Sequence, residues 1–155
     1  MRFTMLLGLA LVAWSPTGAP QADDAKVTTI GHAEVSAAFA KGKPLIEVGD
    51  YKVHASRRDG PGIAEIHTRD TDIAYVIQGS ATLVTGGMAV DLKSTAPEEL
   101  RGTAITGGET RELVPGDVVV IPNGVPHWFK NVEPPFLYYV VKVRQAERRT
   151  TAGAM

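Results

Sequence analysis

The stretch Gly116-Asp-Val-Val-Val-Ile-Pro122-Asn-Gly124-Val-Pro126-His127-Trp-Phe-Lys-Asn131 leaves few folds open. Val118–Ile121 is a β-branched apolar run bounded by turn residues, a pattern that suits a short strand buried on both faces better than a helix. Pro122, Gly124 and Pro126 then stop it, because proline has no N–H for a ladder and glycine accepts positive φ. The chain resumes as a second strand that opens by presenting a histidine. His127 and Phe129 project to one face of that strand and Trp128 to the other.

The rest of the chain has the same texture. Sixteen glycines and ten prolines without a period imply many turns, hence an all-β design. At 155 residues there is room for one domain with a real core. Strands are predicted at 45–48, 51–56, 63–68, 73–78, 81–85, 100–106, 109–114, 117–121, 125–130 and 136–143. Gly49-Asp50 and Gly79-Ser80 read as hairpin turns, and 100–106 as an edge strand. An alanine-rich segment, His32–Lys41, predicts a short helix ended by Gly42 and Pro44, with Val35 and Phe39 on the face that packs against a sheet. Strands at this spacing make a sandwich or a barrel.

Arg2 precedes an apolar run from Phe3 to Trp14 and then a small-residue region through Ala22, the layout of a removable export signal at 1–22. Cleavage after Ala22 removes one cation and no anion, taking the net charge from −1 to −2. The expectation is an exported, periplasmic protein with no membrane attachment in its mature form, a domain over 27–146, and a flexible polar tail at 147–155. The near-neutral balance carries no electrostatic footprint for nucleic acid. With no cysteine in the chain, disulfides and thiolate chemistry are excluded, and histidines and carboxylates are the strong metal ligands that remain.

The spacing Gly116, five residues, Pro122, one, Gly124, two, His127, three, Asn131 resembles the second cupin motif at every defined position. Upstream, Glu65-Ile-His67-Thr-Arg-Asp-Thr-Asp72, with Gly79 after six intervening residues, resembles the first, whose pattern is His, one, His, three or four, Glu, six, Gly. The chain departs from it twice, with Glu65 for the first histidine and Asp72 for the glutamate, and four rather than five residues separate Gly60 from Glu65. The resemblance implies a double-stranded β-helix, the jelly-roll barrel, commonly a homodimer, with one metal ion inside. The family includes dioxygenases, isomerases, decarboxylases, epimerases and metal-free binders, so it does not fix a reaction.

The residues support a site on their own terms. Glu65 and His67 share a strand face, and Asp72 has the small apolar Ala74 and Val76 on its side. Two imidazoles, His67 and His127, with one or both acids suit Fe(II), Mn(II), Zn(II) or Ni(II). Burying Glu65 or Asp72 without a cation is expensive, which is the physical reason to expect an ion. Other uses stay open: a rim salt bridge from Glu65 to Arg57 or Arg58, a turn cap at 71–73 for Asp72, and a motif remnant in a metal-free barrel for His127. His54 and His32 read as packed or solvated histidines, and Lys142, which shares a face with Phe136, Tyr138 and Val140, as either an inward clamp and proton donor or a lysine snorkelling at the rim. The leading function is a metal-dependent enzyme of oxygenase or isomerase type acting on a small organic molecule. A non-catalytic small-ligand barrel and a purely structural module are the alternatives.

Overall fold

The structure, a computed structural model, describes residues 26–146. The expected export signal at 1–22 and the tail at 147–155 lie outside the described residues. One helix, α1 (His32–Lys41), precedes eleven strands: β1 (Lys43–Glu47), β2 (Tyr51–Arg58), β3 (Ala64–His67), β4 (Asp70–Thr85), β5 (Met88–Val90), β6 (Lys93–Ala96), β7 (Glu99–Gly102), β8 (Ala104–Thr106), β9 (Glu109–Leu113), β10 (Val118–Ile121) and β11 (His127–Arg144). Nine strands form one curled sheet in the order β1-β2-β11-β3-β7-β6, with β4 pairing β9, β10 and β11, while β5 and β8 form a separate ladder. This is the all-β barrel that the sequence implies.

The helix forms as expected and closes on Gly42, whose φ of 62° lets its N–H reach the Ala38 carbonyl. Phe39 packs edge-on against Tyr139 at 4.9 Å, which fixes α1 outside the sheet. The two long strands β4 and β11 run antiparallel from Thr85↔His127 to Asp70↔Arg144 and carry the barrel. Along β4, Asp72, Ala74 and Val76 alternate inward, and β11 does the same with Phe129, Phe136, Tyr138 and Val140. Phe136, Leu83 and Val76 are the largest fully buried side chains, and the rings of Phe129, Phe136 and Tyr138 lie 5.1–5.7 Å apart in the middle of that core. A second cluster of Ala64, Val84 and Ile105 packs with Trp128, whose indole donates to the Gly62 carbonyl at 2.8 Å.

Four expectations are corrected. Gly79-Ser80 is not a hairpin turn: β4 passes through it as one strand, bending at Gly79 (φ 76°) where the register with β11 shifts between Glu133 and Leu137. A Cβ at Gly79 would lie 2.7 Å from the carbonyl oxygens of both Glu133 and Pro135, so only glycine permits the approach. The predicted strands at 125–130 and 136–143 are likewise the two halves of β11. Nor is Val118–Ile121 buried on both faces. β10 is an edge strand paired to β4 alone, and Val118 and Val120 are 64% and 59% exposed. Finally, 100–106 is split at Thr103, and its first part, β7, lies between β3 and β6 rather than at an edge.

Candidate metal centre

Glu65, His67 and His127 reach this site from β3 and β11, held together by the pairing of His127 with Glu65. Strand alternation puts Glu65 and His67 on the inner face two residues apart, and the turn ending at Pro126 delivers His127 opposite them. One ligand atom from each of the three lies within 4.8 Å of the others. Glu65 Oε2 is 3.8 Å from His67 Nε2 and 3.9 Å from His127 Nε2, and the two rings are 5.1 Å apart between centroids. Donors held about 2.0–2.2 Å from one metal sit roughly 3.0–3.5 Å from one another, so a small contraction brings this trio to ligation distance.

The hydrogen bonds decide which atoms are free. His127 Nδ1 donates to the Val125 carbonyl at 3.1 Å, so its lone pair is on Nε2, inside the barrel. His67 Nδ1 faces Glu99 Oε1 at 3.5 Å, and its Nε2 faces the Lys142 ammonium, a pure donor, at 2.8 Å. Both imidazoles therefore carry their lone pair on Nε2, the nitrogen nearer Glu65 Oε2, and that of His67 accepts from Lys142. Burial, above all, holds the His127 imidazole below its usual pKa, aided by His67 and opposed by the Val125 bond, so the ring stays neutral and able to ligate. Glu65 is oriented by its other oxygen: Oε1 accepts from Arg101 Nη1 at 2.9 Å and has Arg58 Nη2 at 3.9 Å. Arg101 also donates to Glu99 at 3.0 Å. Burial by itself raises the Glu99 carboxyl, but His67, Arg101 and Lys142 outweigh it and hold Glu99 below its usual value, ionised beside the His67 ring. The donor set, with both lone pairs on Nε2 and its orienting partners behind, fits a divalent metal once the Lys142 ammonium gives up the His67 nitrogen.

The expected residues are brought together unevenly. Asp72 is buried and faces the site, but both its oxygens are taken by Lys142 Nζ at 2.7 and 2.8 Å, and His67 Nε2 is 3.5 Å away. It stands beside the trio rather than within it. Its alternative use as a turn cap is overturned, because 71–73 lies inside β4. The proposed rim bridge of Glu65 exists with Arg58, while Arg57 turns away to Asp59. Lys142 points inward, not to the rim. His54 bonds Glu47 at 3.2 Å and His32 is exposed beside Ser36, so neither joins the cluster. Sequence reasoning missed Glu99 and Arg101. They come from β7, and the register Glu65↔Arg101 and His67↔Glu99 puts each beside a ligand candidate.

The trio opens onto a cavity of about 250 Å³ inside the barrel. Phe129, Ala74, Ile121 and Val140 give it an apolar wall, and Tyr138 with Arg58 a polar one. Arg58 Nε donates to Tyr138 Oη at 3.0 Å, and its guanidinium stacks 4.4 Å above Phe129. Three cations (Arg58, Arg101, Lys142) and three carboxylates (Glu65, Asp72, Glu99) line the cavity, so the protein charges balance before any ion is added.

The comparisons agree on architecture. No curated protein matches the chain. Among solved structures, hydroquinone 1,2-dioxygenase from Sphingomonas sp. TTNP3 with 4-hydroxybenzoate bound is similar at TM-score 0.52 and 16% identity, over 72% of this chain and 73% of that one. BH2720 from Bacillus halodurans is similar at TM-score 0.53 and 16% identity, over 74% and 77%. KdgF from Halomonas sp. has 22% identity and TM-score 0.48 over 67% and 79%. The likenesses to the dioxygenase and to BH2720, at 16% identity, show a shared fold. The family model described as Cupin matches residues 53–154, from β2 through the whole of the candidate site, and the chain belongs to the cupin family.

Proposed function

We propose that the protein is a metal-dependent enzyme of the oxygenase type acting on a small, oxygenated organic molecule, with one divalent ion held by Glu65, His67 and His127. The observation that carries this reading is the convergence of two Nε2 lone pairs and a free carboxylate oxygen, each fixed by a partner on its far side. Two histidines and one carboxylate with positions left open is the donor set of non-haem Fe(II) oxygenases, and it also accepts Mn(II), Zn(II) or Ni(II). Bound there, the metal supplies polarisation of a substrate oxygen and, as iron, activation of dioxygen. The chain's own residues do the rest. Phe129 and Val140 exclude water from one side of the cavity, and Arg58 and Tyr138 present donors to a polar substituent. Burial pushes the Tyr138 phenol up, so it keeps its proton beside the substrate. At about 250 Å³ the cavity is at the small end for ligand sites, which supports a small-molecule substrate. The similar dioxygenase structure, with its bound 4-hydroxybenzoate, adds support for a substrate of that size.

Elemental analysis of protein purified without a histidine tag or chelator tests the metal, and dioxygen uptake against a panel of phenols and hydroxy acids tests the reaction. Metal at stoichiometric level with no uptake but with isomerised product favours an isomerase, and ligand binding without any turnover favours a non-catalytic barrel. A metal-free, inert protein refutes the reading. The proposal extends to a homodimer, supported by the contiguous outward strip of Val118, Val120, Ile73 and Tyr75 on β10 and β4. It also extends to export, supported by the Arg2–Trp14 run.

A further inference from the structure

Among the described residues, Lys142 is the cation that touches both a member of the trio and Asp72. Its ammonium donates to Asp72 Oδ1 and Oδ2 at 2.8 and 2.7 Å and to His67 Nε2 at 2.8 Å. That nitrogen lone pair is the one a metal needs, because His67 Nδ1 is turned toward Glu99. A lone pair serves one acceptor role at a time, so a metal at the trio and the Lys142 ammonium compete for the same atom. Asp72 has the complementary problem. It is buried, ionisable and 3.5 Å from His67 Nε2, near enough to join a metal's ligands, yet both its oxygens are engaged by the lysine. The pair lies directly cross-strand, Lys142 on β11 opposite Asp72 on β4, so the ladder fixes it in place.

We propose that Lys142 is a built-in rival cation that sets the ligand count and affinity of the metal centre: it withholds Asp72 and leaves a three-ligand site with open positions. The inference rests on the metal reading of the same site and adds to it a residue whose removal strengthens, rather than weakens, metal binding. With His67 Nε2 given over to a metal, Lys142 would keep only its two contacts to Asp72. Without the lysine, the Asp72 carboxylate faces the metal unpaired, as a fourth ligand or as a bare neighbouring charge, and the dication loses a like-charged neighbour.

The test is calorimetric titration of Mn²⁺ and Zn²⁺ into four proteins: wild type, Lys142→Met, Asp72→Asn and the double variant. Methionine keeps the length and removes the charge. Lys142→Met is expected to bind metal roughly tenfold more tightly or better, since a charge at contact distance has gone from a partly desolvated site. Asp72→Asn is expected to bind more weakly than wild type, because the ammonium is left without its counter-ion. The double variant removes both charges and is expected to bind at least as tightly as wild type. A merely structural lysine predicts the reverse for Lys142→Met, as loosening a site loosens its metal. Lys142→Met binding no more tightly than wild type overturns the proposal. Should that variant fail to fold, the double variant decides: metal binding weaker than wild type marks Asp72 as a true ligand and overturns it too. Metal bound by wild type but unchanged in Lys142→Met removes this inference alone, whereas no metal in any of the four removes the metal reading with it.

Discussion

Replacing His127 with alanine removes one of three ligand candidates while sparing the turn that Pro122, Gly124 and Pro126 build. Tight structural zinc sites with four ligands are worth about 10–16 kcal/mol, so one ligand's share is about 3 to 4 kcal/mol, or roughly 100- to 1000-fold in affinity. At free metal 100-fold above the wild-type Kd, binding stabilises the fold by about 2.7 kcal/mol, roughly a 10 °C rise in Tm for a domain of this size. At the same metal concentration the variant sits at or below its own Kd, where the stabilisation is about 0.4 kcal/mol at most and the rise under about 2 °C. The substitution has its own cost, because His127 is buried and its removal leaves a void and an unbonded Val125 carbonyl. Each protein is therefore compared with itself, with metal and after chelation, by differential scanning calorimetry, and metal content is read in parallel. A metal-dependent rise in His127→Ala equal to that of wild type refutes the assignment of this residue.

Three further outcomes follow from the geometry. Gly79→Ala combines left-handed backbone with a Cβ 2.7 Å from two carbonyl oxygens and should cost about 3 kcal/mol in urea denaturation, and a loss under about 1 kcal/mol contradicts the bend. In chelated protein, burial holds the His127 pKa below 6.5, so the unfolded chain binds that proton more readily; the contribution is whole above about pH 6.5 and is lost as pH falls from there toward the folded value. His127→Gln should flatten the stability profile between pH 7 and 5.5, above the range where Glu99, depressed from 4.5, begins to act; an unchanged slope counts against burial of a neutral ring. Val118→Asp with Val120→Asp places two charges on the exposed apolar strip and should convert a dimer to a monomer in analytical ultracentrifugation without loss of Tm, and a dimer that survives both moves the interface elsewhere.

The parts of the site carried by local spacing were legible in the chain. Glu65 and His67 two apart, and a histidine just past a proline-glycine turn, announce their faces through strand alternation alone. Partners that depend on which strands become neighbours were not. Glu99 and Arg101 reach the site through the β3–β7 register, and nothing in β7's own sequence names that neighbour. Lys142 shows the boundary well: its face could be read from Tyr138 and Val140, but its choice between rim and interior depends on Asp72 across the ladder. The misreadings have equally plain causes. Gly79 needs positive φ for a bend as much as for a hairpin, and local sequence does not distinguish the two. The all-apolar β10 read as doubly buried because an edge strand with an apolar outer face carries the same letters as a central one.

His127 opens β11 and Lys142 lies near its end, fifteen residues on, a reach of roughly 50 Å for a straight strand. Yet both side chains meet His67, one ring at 5.1 Å and one ammonium at 2.8 Å. The strand is thus a hoop whose ends are clasped at a single imidazole. His67 touches residues near both ends of the longest described strand, so an ion seated there would tighten the hoop as a buckle does a belt. Slowed amide exchange should then spread along β11 from both termini toward the bulge opposite Gly79, rather than fading with distance from the site.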